Sequence, residues 1–265
     1  MISLFAALLS AAGACAQPAQ RIVSLLPSDT EILFALQAQK VVAVSDFCDY
    51  PCNAAKLPKA GDYYNPNIEK IVALKPDMVF TGPWKNNAAQ RLRNAGIKVV
   101  EIPESRSIAD IYSAITAIGG ETGRSRQAQE LVKGLSAKIG ALAAKNAALK
   151  RKPRVYVELD SPHWTAGGGS YLNDMIEKAG GANIFSDLPE SYARVAWETV
   201  AARNPEIIIS LSAAKTDFVS LPGAAGIAAV KNKRIVSDLD RNLLTRPSPR
   251  VYQALRALSK ALHGK

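Results

Sequence analysis

Short β-branched and apolar runs alternate with stretches of helical period through the first half of the chain. Arg21-Ile-Val-Ser-Leu-Leu26, Val41–Ser45, Met78–Phe80 and Val99–Ile102 read as strands, being compact, Val- and Ile-rich runs. Between them, Ser28-x-x-Glu31 has the spacing of a capping box and opens a predicted helix over Thr30–Leu36. A second helix is predicted over Ile68–Leu74. Such βαβα alternation builds a parallel sheet with helices on its faces.

From Gly123 to Arg151 the period changes. Ala128, Leu131, Leu135, Ile139, Leu142 and Leu149 recur at spacings of three, four and seven, and Asn146 is the one polar residue on that stripe. No proline interrupts it, so one long amphipathic helix is expected, roughly 35–40 Å at 1.5 Å per residue. Pro153 ends it, and Arg154-Val-Tyr-Val-Glu-Leu159 starts a second strand-first unit. The two units echo each other. Glu69-Lys-Ile-Val-Ala-Leu-Lys-Pro76-Asp-Met-Val-Phe80 is answered by Glu198-Thr-Val-Ala-Ala-Arg-Asn-Pro205-Glu-Ile-Ile-Ile209. In each, a glutamate opens a short helix, a proline redirects the chain, an acidic residue follows, and a buried strand comes next. Two similar lobes are therefore expected, over residues 17–122 and 153–265, with a stiff connecting helix over 123–152.

Apolar residues make up 48% of the chain and charged residues 21%, an ordinary globular composition that excludes a disordered chain. The net charge of +10 is spread out. Its one dense run, Lys150-Arg151-Lys152 with Arg154, carries no interleaved aromatics and reads as a solvated helix end, which argues against nucleic-acid binding. Residues 1–16 read as a signal peptide: a short apolar run from Leu4 ends in the small-x-small triplet Ala14-Cys15-Ala16. A second reading makes Cys15 a lipid anchor. Cys48 and Cys52, in the turn-rich segment Asp46–Cys52, are then the two remaining thiols, and in an oxidising compartment a disulfide between them is expected to stiffen that loop.

Several of these segments resemble one family. Arg21-Ile-Val-Ser-Leu-Leu-Pro-Ser28 with Thr30-Glu31, Asp49-Tyr-Pro51, and Asn67–Asp77 resemble the helical-backbone, class III solute-binding proteins of ABC importers, and the cobalamin-binding members in particular. Gly180–Phe185, Trp197-Glu198 and Arg246-Pro-Ser-Pro-Arg250 extend the likeness across the mature chain. The resemblance implies two Rossmann-like α/β lobes joined by one long backbone helix, a ligand cleft between them, and a periplasmic monomer that delivers its cargo to a membrane permease. It also implies that Glu69 and Glu198 dock onto permease arginines. A carboxylate at a helix start is favoured by the dipole, and two held at a fixed separation read a partner's identity and orientation. The bare residues equally allow both to be simple helix-start acids.

A corrinoid cargo has a broad apolar face and an amide rim, so its site needs aromatic plates and a few hydrogen-bonding groups. Candidate plates in the loops after strands are Phe47, Tyr50, Tyr63 with Tyr64, Trp84, Trp164 and Tyr192. By the resemblance Phe47, Tyr63 and Tyr192 occupy aromatic positions of the family, two of them tryptophan there and tyrosine here. Asn242 stands where relatives carry aspartate, and Arg246 matches a family arginine near the pocket. His163 is the histidine nearest the cleft, a candidate axial ligand to cobalt or haem iron or else a hydrogen-bonded surface group. Ala166-Gly-Gly-Gly-Ser170 lacks a phosphate-loop lysine and reads as a flexible turn.

Rival functions are a haem or ferric-siderophore carrier, a metal-ion carrier and an enzyme. A metal-ion site needs several histidines and carboxylates converging, and the chain has 2 histidines. Glu69 and Glu198 could serve as an acid/base pair only if they faced one bond, which equivalent positions in two lobes do not. No nucleophile elbow or resident cofactor motif is present.

Overall fold

The computed structural model describes residues 21–38, 40–84 and 87–264. The expected signal peptide and Cys15 lie outside them. The first lobe runs β1 (Ile22–Ser24), α1 (Pro27–Ala35), β2 (Val41–Val44), α2 (Cys52–Ala55), α3 (Ile68–Ala73), β3 (Met78–Thr81), α4 (Ala88–Asn94), β4 (Lys98–Glu101) and α5 (Ile108–Glu121). Helix α6 (Ser125–Ala147) carries the chain into the second lobe. That lobe runs β5 (Arg154–Glu158), β6 (Trp164–Ala166), α7 (Tyr171–Lys178), β7 (Ala182–Asn183), β8 (Tyr192–Arg194) and α8 (Trp197–Arg203). It ends with β9 (Ile207–Ser210), α9 (Ala228–Lys231), β10 (Ile235–Val236), α10 (Arg241–Thr245) and α11 (Val251–His263).

The two main sheets share one topology. The first has the order β2-β1-β3-β4 and the second β7-β5-β9-β10, with every neighbouring pair parallel. In both, the first strand lies inside, flanked by the second and third, and the fourth forms the edge. The second lobe adds an antiparallel ribbon, β6–β8.

Alternation along the strands decides where the core lies, because successive side chains leave a strand on opposite faces. Ile22, Met78 and Phe80 from the first sheet and Val155, Val157, Ile207 and Ile209 from the second all enter one continuous core with α1, α5, α6, α7 and α11. Val23 and Val79 point to a separate outer core of the first lobe, and Tyr156 and Ile208 to one of the second. The lobes are thus joined by long helices and also fused through a layer of apolar packing between their sheets. Asn146, the polar residue on the α6 stripe, is buried and useful there: its amide donates to Lys178 O at 3.0 Å and accepts from Ser259 Oγ at 3.1 Å, tying α6 to α7 and α11. Asp174 of α7 accepts the Ile108 N–H that opens α5 at 2.8 Å.

The sequence echo is a matched pair of joints. Arg21, ahead of β1, gives its N–H to Asp77 at 2.8 Å and its guanidinium to Leu74 O and Lys75 O. Arg154, opening β5, gives its N–H to Glu206 at 2.9 Å and its guanidinium to Asn204 O. Lys75 and Asn204, the residues before each proline, both take positive φ, 48° and 44°. The proline forbids the right-handed helical region to its predecessor, so the chain turns through the left-handed one.

Three expectations are corrected. The capping box at Ser28 and Glu31 is absent: Pro27 sits at the first helical position, so α1 begins earlier, and no side chain caps its start. The long helix is shorter than its apolar stripe, because Gly123 turns the chain at φ 68° before it and the last turn closes at Ala148. The disulfide between Cys48 and Cys52 does not form. Cys48 is buried with its sulfur 3.1 Å from Thr30 Oγ1 and 3.2 Å from Ser45 Oγ, while Cys52 begins α2 on the exposed side of the loop, and both thiols are free. Hydroxyl partners inside the lobe claim the first thiol.

Candidate functional site

Ligands of open parallel α/β sheets bind beyond the carboxyl ends of the strands. Here the loops following β1, β2, β3 and β4 converge on one hollow, which the second lobe closes from the other side. The resulting cavity has a volume of about 600 Å³. Asp29, Tyr63 and Glu104 face it from the first lobe, and Tyr171, Tyr192 and Arg246 from the second.

Tyr63 is fixed at both ends. Its hydroxyl donates to Pro83 O at 2.5 Å, and Trp84 stacks against its ring with centroids 6.5 Å apart and planes at 19°. The Trp84 indole N–H donates to Tyr63 O at 2.6 Å, so this tryptophan supports the plate from behind. Tyr192 stands on the β6–β8 ribbon opposite Ala166. Burial pushes its phenol up to about 12, with Glu104 adding a smaller push, so it stays a neutral hydrogen-bonding plate. Tyr171 is buried outright, its hydroxyl donating to Leu244 O and its phenol held well above the ordinary range by burial.

Arg246 bridges the lobes. It forks onto the Asp49 carboxylate and gives a further bond to Phe47 O at 3.2 Å, while Glu31 lies 3.5 Å away. Glu31, buried on α1, takes the Arg250 guanidinium at 2.8 and 2.5 Å, and Asn242 donates to Asp49 at 2.9 Å. Arg246 hydrogen-bonds Asp49 and thereby holds that carboxyl below its ordinary range. The cavity's one arginine is therefore already neutralised by protein carboxylates.

The remaining predicted residues lie outside the cavity lining. Phe47 is exposed and meets Arg246 through its carbonyl, Tyr50 lies under the Arg250 guanidinium at 4.0 Å, and Asn242 serves Asp49. Trp164 is exposed on the ribbon, on the face that register assigns to Tyr192 as well. His163 turns away from the cavity: its ring stacks on Trp197, and Nδ1 lies 3.2 Å from Glu158 Oε1 but off the hydrogen-bond direction. An axial-ligand role for His163 does not fit that position. The glycine run is no flexible turn either, since a Cβ at Gly167 or Gly168 would come within 2.2 Å of the carbonyls of Glu190 or Ser186. The run is a close-packed seam under the ribbon.

Glu69 and Glu198 occupy the second position of α3 and α8, each exposed and each following a buried residue, Ile68 and Trp197. Neither forms an ion pair among the described residues, and neither lines the cavity. Sequence reading missed Asp29, Glu104 and Tyr171. The signal was their position: Asp29 and Glu104 follow strands whose carboxyl ends face the cleft.

Comparison with known proteins places this geometry. Residues 22–241 match the family model described as periplasmic binding protein. The vitamin B12-binding protein of Salmonella paratyphi A is 32% identical over 256 residues, covering 92% of this chain and 90% of that one. A crystal structure of a candidate iron-binding (periplasmic solute-binding) protein from Staphylococcus epidermidis shares 33% identity with a TM-score of 0.82, covering 93% of this chain and 100% of that one. A periplasmic haem-binding protein from Roseiflexus, at 25% identity, covers 92% of this chain and 98% of that one with a TM-score of 0.83.

Proposed function

This chain belongs to the periplasmic binding protein family, and from that premise we propose that its cargo is cobalamin or a related corrinoid. It is a class III solute-binding protein of an ABC importer, a periplasmic transport carrier and not an enzyme, and it delivers a small cofactor-like ligand to a permease. The observation that supports a corrinoid is the charge of the cavity. Its single arginine is committed to Asp49 and Glu31, while Asp29 and Glu104 stand on the wall. A macrocycle rimmed by neutral amides suits such a site. A ligand bearing two carboxylates, or a ferric siderophore, needs cationic partners that this cavity withholds.

Haem is the second reading. The structural likeness to haem-binding proteins favours it, and a tyrosinate is a competent ligand for haem iron. Titration of the protein with cyanocobalamin, haemin and a ferric siderophore, followed by visible absorption and calorimetry, separates these readings. Tight cyanocobalamin binding is expected. Tight haemin binding with none for cyanocobalamin replaces the corrinoid by haem. Tyr63→Ala is expected to weaken the preferred ligand about tenfold, as loss of one stacking plate does.

On the same reading, Glu69 and Glu198 are the permease contacts. Duplicate carboxylates at helix starts, exposed and away from the cargo, suit a two-point docking onto arginines.

A further inference from the structure

One group on the cavity wall has no structural employment. Asp29 lies in the first turn of α1 and keeps only 2% of its surface exposed. Its Oδ1 takes the Ser28 hydroxyl at 3.3 Å, but Oδ2 finds no hydrogen-bond partner among the described residues. A buried polar atom left bare costs about 1–3 kcal/mol, and native proteins keep few of them. Arg246, the cation nearest to hand in the cavity, is taken up by Asp49 and Glu31. Nothing in the fold needs a carboxyl here.

We propose that Asp29 is a specificity-determining residue that pairs with a primary carboxamide on the rim of the cargo. The inference rests on the corrinoid reading and adds the group that recognises the amide edge. A protonated carboxyl and a primary amide are complementary: each offers one donor beside one acceptor, so O–H donates to the amide oxygen while the amide N–H donates back. Burial raises the Asp29 carboxyl from 3.8 to about 7, which keeps that proton in place at mildly acidic pH. A ligand carboxylate offers acceptors alone and also meets Glu104 on the same wall.

The other titratable groups around the cavity are Tyr63, Glu104, Tyr171, Tyr192 and Arg246, with Glu31 farther along α1. The three phenols are raised above their ordinary values by burial, so they stay neutral where Asp29 titrates. Arg246 stays charged. Comparison with an Asp29→Asn variant separates Asp29 from Glu104 and Glu31.

The test is equilibrium titration of the full chain with cyanocobalamin and with dicyanocobinamide at about pH 6 and about pH 8, for wild type, Asp29→Asn and Asp29→Leu, with folding checked by circular dichroism. Asparagine keeps a donor and an acceptor, so its affinity is expected within about threefold of wild type at the lower pH, whereas leucine loses about tenfold or more. Wild-type affinity is expected to fall several-fold at the higher pH while the asparagine variant stays level. A folded leucine variant with unchanged affinity, or an asparagine variant as weak as leucine, overturns the inference and leaves the corrinoid reading standing. Wild type that binds neither corrinoid overturns both. Should leucine not fold, the pH comparison decides alone, and a wild-type profile as level as that of asparagine overturns the inference.

Discussion

The two lobes share a scaffold and differ in what they show to the cleft. Each has a 2-1-3-4 parallel sheet, an arginine-carboxylate clamp at the joint before its third strand, and an exposed glutamate one residue into the preceding helix. The first lobe reaches the cavity through all four loops at the carboxyl ends of its strands and brings the acids Asp29 and Glu104. The second reaches it through α7, the loop after α10 and an added ribbon, and brings Tyr192 and Arg246. Duplication therefore accounts for rigidity and for the paired outer carboxylates, while recognition sits where the copies diverge.

The sharpest way to break this comparison is charge reversal at the paired carboxylates. Glu69→Lys with Glu198→Lys is expected to abolish uptake in a transport assay and leave cargo affinity intact; weakened binding would place these residues in ligand capture and end the docking role. Next in size is Glu31→Gln, which strips a buried cross-lobe pair. Leaving Arg250 uncompensated is expected to cost about 3 kcal/mol, read as a drop in the denaturant midpoint. An unchanged midpoint would mean that the apolar core holds the lobes together unaided.

The pH dependence of stability sharpens the contrast between the acids. The Asp29 carboxyl is raised in the folded chain to about 7 from 3.8, so its protonated, buried form stabilises the fold fully below the lower value. That contribution is lost as pH rises through about 7, at roughly 1 kcal/mol per pH unit. Asp29→Asn is expected to remove this decline, and chemical denaturation at several pH values measures it; parallel curves for the two proteins would refute the assignment. The smallest effect tests the equivalence of the joints. Asp77→Ala and Glu206→Ala are each expected to cost about 1 kcal/mol, and a gap much wider than that between their melting curves would show the clamps to be unequal.

Much of the fold was legible from local patterns. The strands around Ile22, Val41, Met78, Val99, Val155 and Ile207 announce themselves because buried parallel strands need continuous β-branched runs. The two joints were visible because proline leaves the same trace wherever a helix must turn into a strand. The ribbon was not legible: Trp164–Ala166 and Tyr192–Arg194 are three residues each and exist only through pairing with one another. The cleft was half legible. Aromatic content marked Tyr63 and Tyr192, but the same signal marked Tyr50, which lies under Arg250, and Trp84, which braces Tyr63. An aromatic ring reports a wish to be packed, not the surface it packs on.

The acids show the same division in reverse. Glu31 looked like half of a capping box, yet Pro27 starts the helix earlier and two arginines more than two hundred positions away claim the carboxylate. Cys48 looked like half of a disulfide, yet the hydroxyls of Thr30 and Ser45 hold it.

By itself the amino-acid order determined the strands, the long helix, the twofold plan and the outer pair of glutamates, since each follows from periodicity or from steric rules acting over a few neighbours. Only the tertiary structure decided that the lobes share one core, that Arg246 is neutralised, that both thiols are free, and that Asp29 faces the cleft with an oxygen unmatched. Those outcomes depend on burial and on partners distant in the chain, and neither quantity is written in any short stretch of it.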